Sequence, residues 1–332
     1  MESVCVVTVT YADRFNRLAR ETVIRALSAG ASHVVIVDNG SSDDTLRQLE
    51  QLSLSEPAVT VESMGKNTGS APAFSHGIKI AAERRPEYIL LLDDDNWVEP
   101  DSLEKLLNSQ KRAAVRFKDP LTSVCGYRDL DSNHIRIAKG LPASLTYPPS
   151  GAFMFFDVLT QLRRLMFKPR ARELTMEEKC LPEAPYGGLL FPTQLLDVIG
   201  LPPSELRLYA DDTFWTSRAV AQGHRLILDD SVTVHDADSK WARASGGGPF
   251  GLLDTESLEK LYFSVRNRVL FEKSLVRSTA ARYRYAANKT IYSLISRFVA
   301  LRGRPKAAYI VYREAVRDAE LGRLDNLDWI GK

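Results

Sequence analysis

The sequence predicts an α/β protein, with a mostly parallel sheet flanked by helices and a helical region at its C-terminal end. Three observations carry this. Short apolar, β-branched runs (Val4–Thr10, His33–Val37, Val59–Ser63, Tyr88–Leu92) read as buried strands. Segments of helical spacing fall between them: Leu18–Ala29, a helix capped by Ser41 or Ser42 and running to about Leu52, and Ala71–Arg84. From Leu258 to about Leu324 the pattern becomes two or three amphipathic helices, broken near Gly303-Arg304-Pro305.

In the second of those segments Asp43 and Asp44 fall in the first turn, where carboxylates suit the helix dipole. The stretch from about Gln110 to Pro185 is less regular; it holds Pro148-Pro149 and a basic patch of Arg163, Arg164, Lys168, Arg170 and Arg172. Order resumes at Tyr186-Gly187-Gly188-Leu189-Leu190-Phe191. Tyr209–Gly223 reads as an acidic loop entering a helix, and Arg225–Val234 as a strand. Ser245-Gly246-Gly247-Gly248-Pro249 is a flexible segment of the kind that serves as lid or hinge. The expected division is an α/β domain over 1–250 and a basic helical region over 251–332, within the span of one large domain and an appendage.

The 332 residues carry a net charge of +2 that hides an asymmetry. From Glu256 onward there are 16 Lys/Arg against 8 Asp/Glu, about +8, which leaves about −6 for the rest. An anionic partner on the basic side, such as an anionic membrane surface, is one reading, and solvated helix faces are the other. The balance is too modest for nucleic acid, and no recognition motif for it appears. Cys5, Cys125 and Cys180 are far apart and form no CxxC pair, which suits a reducing compartment and inert packing. The N-terminus does not read as a signal peptide, and no apolar run approaches the ~18–20 residues of a membrane span. The expected location is cytoplasmic, with peripheral contact on the inner face of the cell membrane as the added reading.

Chemistry concentrates at three places. Leu90-Leu91-Leu92 leads into Asp93-Asp94-Asp95-Asn96, and three consecutive carboxylates at a strand end repel one another unless a cation compensates. In an extended segment Asp93 and Asp95 point the same way, so both can reach one hard divalent ion, Mg²⁺ or Mn²⁺. Such ions are usually shared with substrate phosphates, which implies a diphosphate ligand. The plainer alternative is a solvated acidic turn. Asp211 and Asp212 stand at a helix start in an aromatic setting, where they serve either as N-terminal caps or, one of them, as a general base. His235 ends a strand, where it is structural or completes the metal site. No GxGxxG after a strand, GxxxxGK[ST] or HExxH is present.

Taken in order, these pieces resemble the family 2 glycosyltransferases of GT-A fold, which is Rossmann-like. The matching stretches are Val7-Thr8-Val9-Thr10-Tyr11 with Arg14, Val37-Asp38-Asn39-Gly40-Ser41-Ser42-Asp43, Asn67-Thr68-Gly69, Leu92–Asp95, Gly187-Gly188, Asp211-Asp212 and His235. The resemblance implies that Thr10, Tyr11, Arg14 and Asp38 line a nucleobase pocket, Asn67 and Gly69 lie along the nucleotide, and Asp94 touches the ribose or sugar. It implies that Asp93, Asp95 and His235 hold Mn²⁺ or Mg²⁺, that Asp212 is the base, and that Asp211 binds hydroxyls of acceptor or sugar. The sequence departs from the family at Asp211, where many members have Glu, and at Pro192, where members often carry a basic residue. Tyr262-Phe263-Ser264-Val265-Arg266-Asn267-Arg268 adds a narrower likeness to bacterial galactofuranosyltransferases.

The implied activity is an inverting, metal-dependent hexosyl transfer from a nucleotide diphosphate sugar to a glycan or lipid-linked glycan acceptor, in surface polysaccharide or lipopolysaccharide synthesis. UDP-galactofuranose is the favoured donor and dTDP-rhamnose the alternative. Two rivals remain. A sugar-1-phosphate nucleotidyltransferase needs a Gly-rich basic loop after strand one, where Tyr11-Ala12-Asp13-Arg14 stands instead. A non-catalytic glycan-binding protein on a degenerate transferase fold would have no need of the retained acidic positions.

Overall fold

The computed structural model describes residues 2–166, 172–237, 257–301 and 306–324. Lys168 and Arg170, the Ser245–Pro249 segment, the break at Gly303–Pro305 and the expected 250/251 boundary lie outside the described residues.

In chain order the elements are β1 (Val4–Ala12), α1 (Arg20–Ser28), β2 (His33–Ser41), α2 (Asp43–Ser55), β3 (Val59–Ser63), α3 (Ser70–Glu83), β4 (Tyr88–Leu91), β5 (Asn96–Val98) and α4 (Ser102–Phe117). Then come β6 (Ser123–Arg128), α5 (Ser132–Ala138), α6 (Ala143–Thr146), α7 (Val158–Met166), β7 (Leu189–Pro192), α8 (Leu195–Ile199), α9 (Asp211–Ala221) and β8 (Leu226–Asp236). Three helices follow: α10 (Leu258–Ser274), α11 (Thr279–Leu301) and α12 (Lys306–Leu321). The chain packs as two units. One comprises Met1–Ala143, Ala171–Arg207 and Asp211–Ser239, the other Ser144–Arg170, Leu208–Ala210 and Lys240–Lys332.

The first unit is built on an eight-stranded sheet of order β3-β2-β1-β4-β7-β6-β8-β5. The sheet is mixed, where a mostly parallel one was expected. β1–β2, β1–β4, β2–β3 and β6–β8 pair parallel, whereas β4–β7, β6–β7 and β5–β8 pair antiparallel. Short β7 and three-residue β5 run against the other six strands, and β7 sits in mid-sheet. The consequence is functional. The C-terminal ends of β1, β2, β4, β6 and β8 and the N-terminal ends of β5 and β7 all reach the same edge, the edge at which α/β sheets bind ligands.

Two strands were not anticipated in the sequence. β5 follows the aspartate turn directly, and β6 falls in the stretch read as irregular. β6 carries Gly126, where a Cβ would lie 2.8 Å from Val234 Cγ2; the missing side chain lets β8 approach. Glycine in a strand interior hides the strand from a propensity reading.

One face of the sheet buries Val4, Val6, Val34, Ile36 and Leu90 with Phe15, Val23, Leu49, Leu103 and Leu106. The other receives α3, and the contact is close at Gly77, where a Cβ would fall 2.7 Å from Val7 Cγ1 and 2.8 Å from Val37 Cγ2. Ser42 caps α2 as expected, its side chain accepting from Thr45 N.

The second unit has its own core, in which Phe153, Tyr262, Phe263, Val269, Tyr292 and Tyr312 pack together. Glu272 is buried and accepts from Met154 N (2.5 Å) and Phe155 N (2.8 Å), two residues at φ 51° and 60°. Arg268 donates to Glu272 (2.9 Å), Arg266 donates to the Leu324 carbonyl (2.7 Å), and Asn267 donates to the Leu208 and Tyr209 carbonyls (2.7 and 2.9 Å). Among the described residues no helix is long and apolar enough to cross a membrane.

Gly77→Ala should lower the unfolding free energy by about 1–3 kcal/mol, because the methyl group has no room between Val7 and Val37. Urea denaturation followed by far-UV circular dichroism would measure it; an unchanged midpoint would mean that α3 does not seat this closely.

Candidate active site

The three aspartates do not continue β4 as an extended strand. Asp93 to Asn96 is a tight turn, closed by Asn96 N donating to the Asp93 carbonyl (3.0 Å) and by Asp93 N donating to Asn96 Oδ1 (3.2 Å). Asp94 is buried, while Asp93 and Asp95 are partly exposed.

Within the protein, two arginines compensate the carboxylates. Arg14, just past β1, clamps Asp94 through Nε (2.7 Å) and Nη2 (2.8 Å) and reaches Asp95 at 3.3 Å. Arg128, at the end of β6, donates to Asp93 (3.2 Å) and forks onto both oxygens of Asp236, at the end of β8. Such bidentate pairs are strong and fix geometry. Burial opposes charge on Arg14 and Arg128, but the carboxylates outweigh it and raise both above the usual arginine range. Burial raises Asp93, Asp94 and Asp95 above the usual carboxylate range, Asp95 to about 6 with Asp93 adding to the effect. His134 Nδ1 accepts from Arg128 N (3.2 Å), and burial lowers this imidazole so that it stays neutral and able to accept.

Register decides the fate of His235. In the β5–β8 pairing Asn96 faces Asp236, and Trp97 faces His235. Side chains alternate along a strand, so Asp236 lies on the side of Asn96, to which it is hydrogen-bonded, and His235 on the other. His235 stacks on Trp97 with ring centroids 4.0 Å apart, and its nitrogens face Asp129 at 3.5 Å and Glu99 at 3.8 Å. The structure therefore joins Asp236, rather than His235, to the aspartate turn. Val232 and Val234 are buried, and this inward alternation, extended to 236, was the available signal. Arg128 and Asn96 were also missed, being single polar residues at strand ends with no motif around them.

Gly187 lies against the cluster. A Cβ there would fall 2.0 Å from Asn96 Oδ1, 2.8 Å from Asp93 Oδ2 and 2.9 Å from Arg128 Nη1. The Gly187-Gly188 pair thus keeps the start of β7 out of the space the carboxylates occupy.

The expected nucleotide side is formed by the loops after β1, β2 and β3. Tyr11 is exposed, with the Arg14 guanidinium 5.2 Å from its ring centroid. Thr10 is buried inside the sheet, its hydroxyl without a hydrogen-bond partner. Asp38 is buried and accepts from Ser41 N (2.9 Å) and Ser63 Oγ (2.8 Å). Asn39 ties the next loop down. It accepts from Thr68 N (2.8 Å) and donates to the Gly69 carbonyl (3.1 Å), while Asn67 Oδ1 accepts from Gly69 N (3.0 Å). Gly69 has φ +96°, and a Cβ there would fall 2.1 Å from the Arg207 carbonyl. That carbonyl also accepts from Ala71 N (3.2 Å), binding this loop to the segment that leads toward Asp211.

Asp211 and Asp212 open α9, and the two residues before them, Tyr209 and Ala210, have φ of 65° and 58°. Non-glycine backbone in this region is strained, a feature that concentrates at functional sites. Asp211 is buried: Ser70 Oγ lies 3.4 Å from one oxygen, while the Tyr186 hydroxyl faces the carboxylate without a hydrogen bond of good geometry. Asp212 accepts from Thr213 N (2.6 Å). Burial, then the neighbouring Asp211 charge, raises Asp212 to about 8, and burial raises Asp211 less. Asp93 adds to both shifts, so the acid pair and the aspartate turn share one electrostatic environment.

Among the described residues no three His, Cys, Asp or Glu side chains are placed to hold a metal by themselves. A hard divalent ion needs only one or two carboxylates when substrate phosphates supply the rest. Asp95 fits that requirement. Its contacts to Arg14 (3.3 Å) and Asn96 (3.4 Å) are long, so its lone pairs are not committed.

Residues 5–138 match the family model for Glycosyl transferase family 2. Over 110 residues the chain is 34% identical to a chondroitin synthase of Escherichia coli, a match spanning 32% of this chain and 14% of that protein's length. Among solved structures, a mannosyltransferase (PcManGT) from Pyrobaculum calidifontis in complex with GDP-Man and Mn²⁺ is similar at 17% identity over 99% of this chain and 88% of that one, with a TM-score of 0.50. TarS of S. aureus is similar at 14% identity over 82% of this chain and 43% of that one, with a TM-score of 0.45. The Pyrobaculum likeness shows a shared α/β, glycosyltransferase-like fold.

The raised proton affinity of Asp212 has a consequence for stability. A fold that raises a carboxyl favours its protonated form, so this contribution is complete below the unfolded pKa of about 3.9 and is lost as pH rises through about 8. Asp212→Asn removes the ionisation. It should raise the melting temperature at pH 8 by a few degrees, an effect trimmed by the partial exposure of the residue, and the gain should shrink toward pH 4. Calorimetry across that range checks it; an equal or lower melting point at pH 8 would refute the strained, protonated state.

Proposed function

We propose that this chain is a glycosyltransferase that moves a sugar from a nucleoside diphosphate donor onto a hydroxyl of a glycan or lipid-linked glycan acceptor. One observation carries the reading: an acid of raised proton affinity, Asp212, shares an electrostatic environment with a turn of three aspartates at the ligand-binding edge of the sheet. The family 2 match over 5–138 and the likeness to an enzyme holding GDP-Man and Mn²⁺ support it.

In this reading the nucleoside lies over Tyr11, with Asp38 offering a carboxylate to a pyrimidine N–H and the Asn67–Gly69 loop beside it. Asp93 and Asp95 would hold Mg²⁺ or Mn²⁺. The alternation of β8 favours Asp236 over His235 as the third protein position. The ion, when bound, supplies charge stabilisation for the leaving diphosphate. Arg14 orients Asp94 toward the sugar side, and Arg128 holds Asp93 and Asp236 in place.

Transfer is an inverting single displacement. The acceptor oxygen forms a bond to the anomeric carbon, the bond from that carbon to the diphosphate oxygen breaks, and the hydroxyl proton passes to Asp212. A free carboxylate is a weak base, but one raised to about 8 matches the task near neutral pH. Asp211, deprotonated at lower pH than its neighbour, accepts hydrogen bonds from hydroxyls. Among donors UDP-galactofuranose is tried first because of the sequence likeness over Tyr262–Arg268, although Arg266, Asn267 and Arg268 themselves are engaged within the second unit.

Thermal shift with UDP-galactofuranose, UDP-hexopyranoses, dTDP-rhamnose and GDP-mannose, each with and without Mn²⁺, tests the donor. One donor should raise the melting temperature, and only with Mn²⁺, by mass action on the folded state. Gly187→Ala should abolish that shift, since its methyl group displaces Asn96, Asp93 and Arg128. A metal-independent shift of equal size in both proteins would remove the metal assignment. With the donor so identified, kcat/KM should rise with pH and level off above about 8. Asp212→Asn should lower kcat by at least roughly a hundredfold with donor affinity kept. A variant that keeps near-parental turnover would eliminate Asp212 as the base.

A further inference from the structure

The second unit carries an apolar surface that its own core does not use. Helix α11 buries Ala281, Tyr285, Asn288, Tyr292 and Ser296, a single stripe. At 100° per residue, Tyr283, Leu294 and Leu301 fall within about 20° of one another on the opposite side of the helix. They are exposed, Leu294 by 62% and Leu301 by 78%. A helix with an apolar strip on both sides is normally enclosed; this one leaves its outer strip open among the described residues.

Helix α7, in the same unit, is turned in the same unusual sense. Leu159, Leu162 and Met166 lie within about 60° of one another on one face and are exposed, Met166 by 67%, while Thr160 and Gln161 are the more buried residues. The N-terminus of α7 is fastened to α11. Asn288 Oδ1 accepts from Val158 N (3.0 Å), its Nδ2 donates to Asp157 (2.8 Å), and Arg284 pairs with Asp157. The outward setting is therefore anchored by buried polar contacts.

The charged residues carried by these two helices have one sign. Neither α7 nor α11 contains an Asp or Glu. Arg163 is exposed beside the α7 strip and Arg282 and Arg297 are exposed on α11, while the acids Glu314 and Glu320 belong to α12, where Glu320 pairs with Lys289. Apolar strips on helices whose own charges are all cationic match a surface that presents acyl chains below phosphate groups.

We infer that the outer faces of α7 and α11 form a docking surface for an anionic phospholipid bilayer. Leu159, Leu162, Met166, Tyr283, Leu294 and Leu301 enter the headgroup–acyl boundary, and Arg163, Arg282 and Arg297 meet the phosphates. Attachment is peripheral, since no described helix spans a membrane. The inference rests on the second unit alone and stands or falls separately from the transferase reading.

The test is sedimentation of the full chain with vesicles of phosphatidylcholine alone and of phosphatidylcholine mixed with phosphatidylglycerol. The parent protein should pellet with the mixed vesicles, and high salt should release most of it. The double substitution Leu294→Ser and Leu301→Ser should weaken partitioning by roughly tenfold or more, and Arg163→Glu with Arg297→Glu should weaken it similarly. Circular dichroism and thermal melts should show both variants folded like the parent. No vesicle binding by the folded parent, or equal binding to neutral vesicles, overturns the inference. So does a parent dimer in sedimentation velocity that the serine variant converts to monomer, which would make this surface an interface between copies of the chain.

Discussion

Asp93, Asp94, Asp95 and Asp236 meet Arg14 and Arg128 at one edge of the sheet, and the geometry of the candidate site follows from that ionic network. The partners come from four strand ends or the loops just beyond them, three of them from the one turn after β4, so the network exists only if β1, β4, β6 and β8 end at the same level. The reversal of β7 and β5 serves the same end. It brings Gly187 and Asn96, which begin those strands, into the cluster. A network with more carboxylates than guanidiniums is a poor device for stability, since desolvation takes back much of the Coulombic gain. It does provide a rigid set of oxygens with a net negative charge. A site for a cation shared with a diphosphate requires that property.

The acid pair is likewise not arranged for stability. Tyr186, which faces the buried Asp211, packs against Phe74 (4.3 Å between centroids) and Trp215 (6.1 Å). The residues leading into the pair hold left-handed backbone without glycine at Tyr209 and Ala210. Burial and the like charge of Asp211 act against ionisation of Asp212. From the sequence alone Asp212 looked a weak base, with an ordinary carboxyl pKa near 3.9. Its surroundings remove that objection, because proton affinity is set by neighbours that linear spacing does not reveal.

The first third of the chain was legible because its strands are short, apolar and separated by helices of clear period; β3 was read to the residue. The aspartates at a strand end, the Asp38 strand end and the Asn67–Gly69 loop were visible for the same reason, each following a well-marked strand, but the aspartates were read as extended where they form a turn. What was lost depended on pairing. β7 looks like any buried strand, and nothing local says that it runs antiparallel in mid-sheet. Arg128 follows a glycine-bearing strand in an irregular stretch. His235 and Asp236 are neighbours in sequence and opposites in space, and only the β5–β8 register separates them. The Tyr262–Arg268 stretch shows the converse error. Arg266, Asn267 and Arg268 are buried and spent on the Leu324 carbonyl, the Leu208 and Tyr209 carbonyls and Glu272, so each has a structural task whatever the donor.

The charge asymmetry of the C-terminal region was plain in the composition, yet composition could not show where apolar residues accompany the cations. On α11 the buried and exposed strips contain similar residue types, Tyr285 and Tyr292 on one and Tyr283 and Leu294 on the other. Periodicity alone cannot say which faces inward. The choice is made by Asn288 and Arg284, whose hydrogen bonds to the start of α7 and to Asp157 fix the rotation of the helix. With that rotation fixed, the remaining apolar strip has to face outward. The burial of Asn288 thus determines the exposure of Leu294, and a polar contact inside the unit sets the character of the surface outside it.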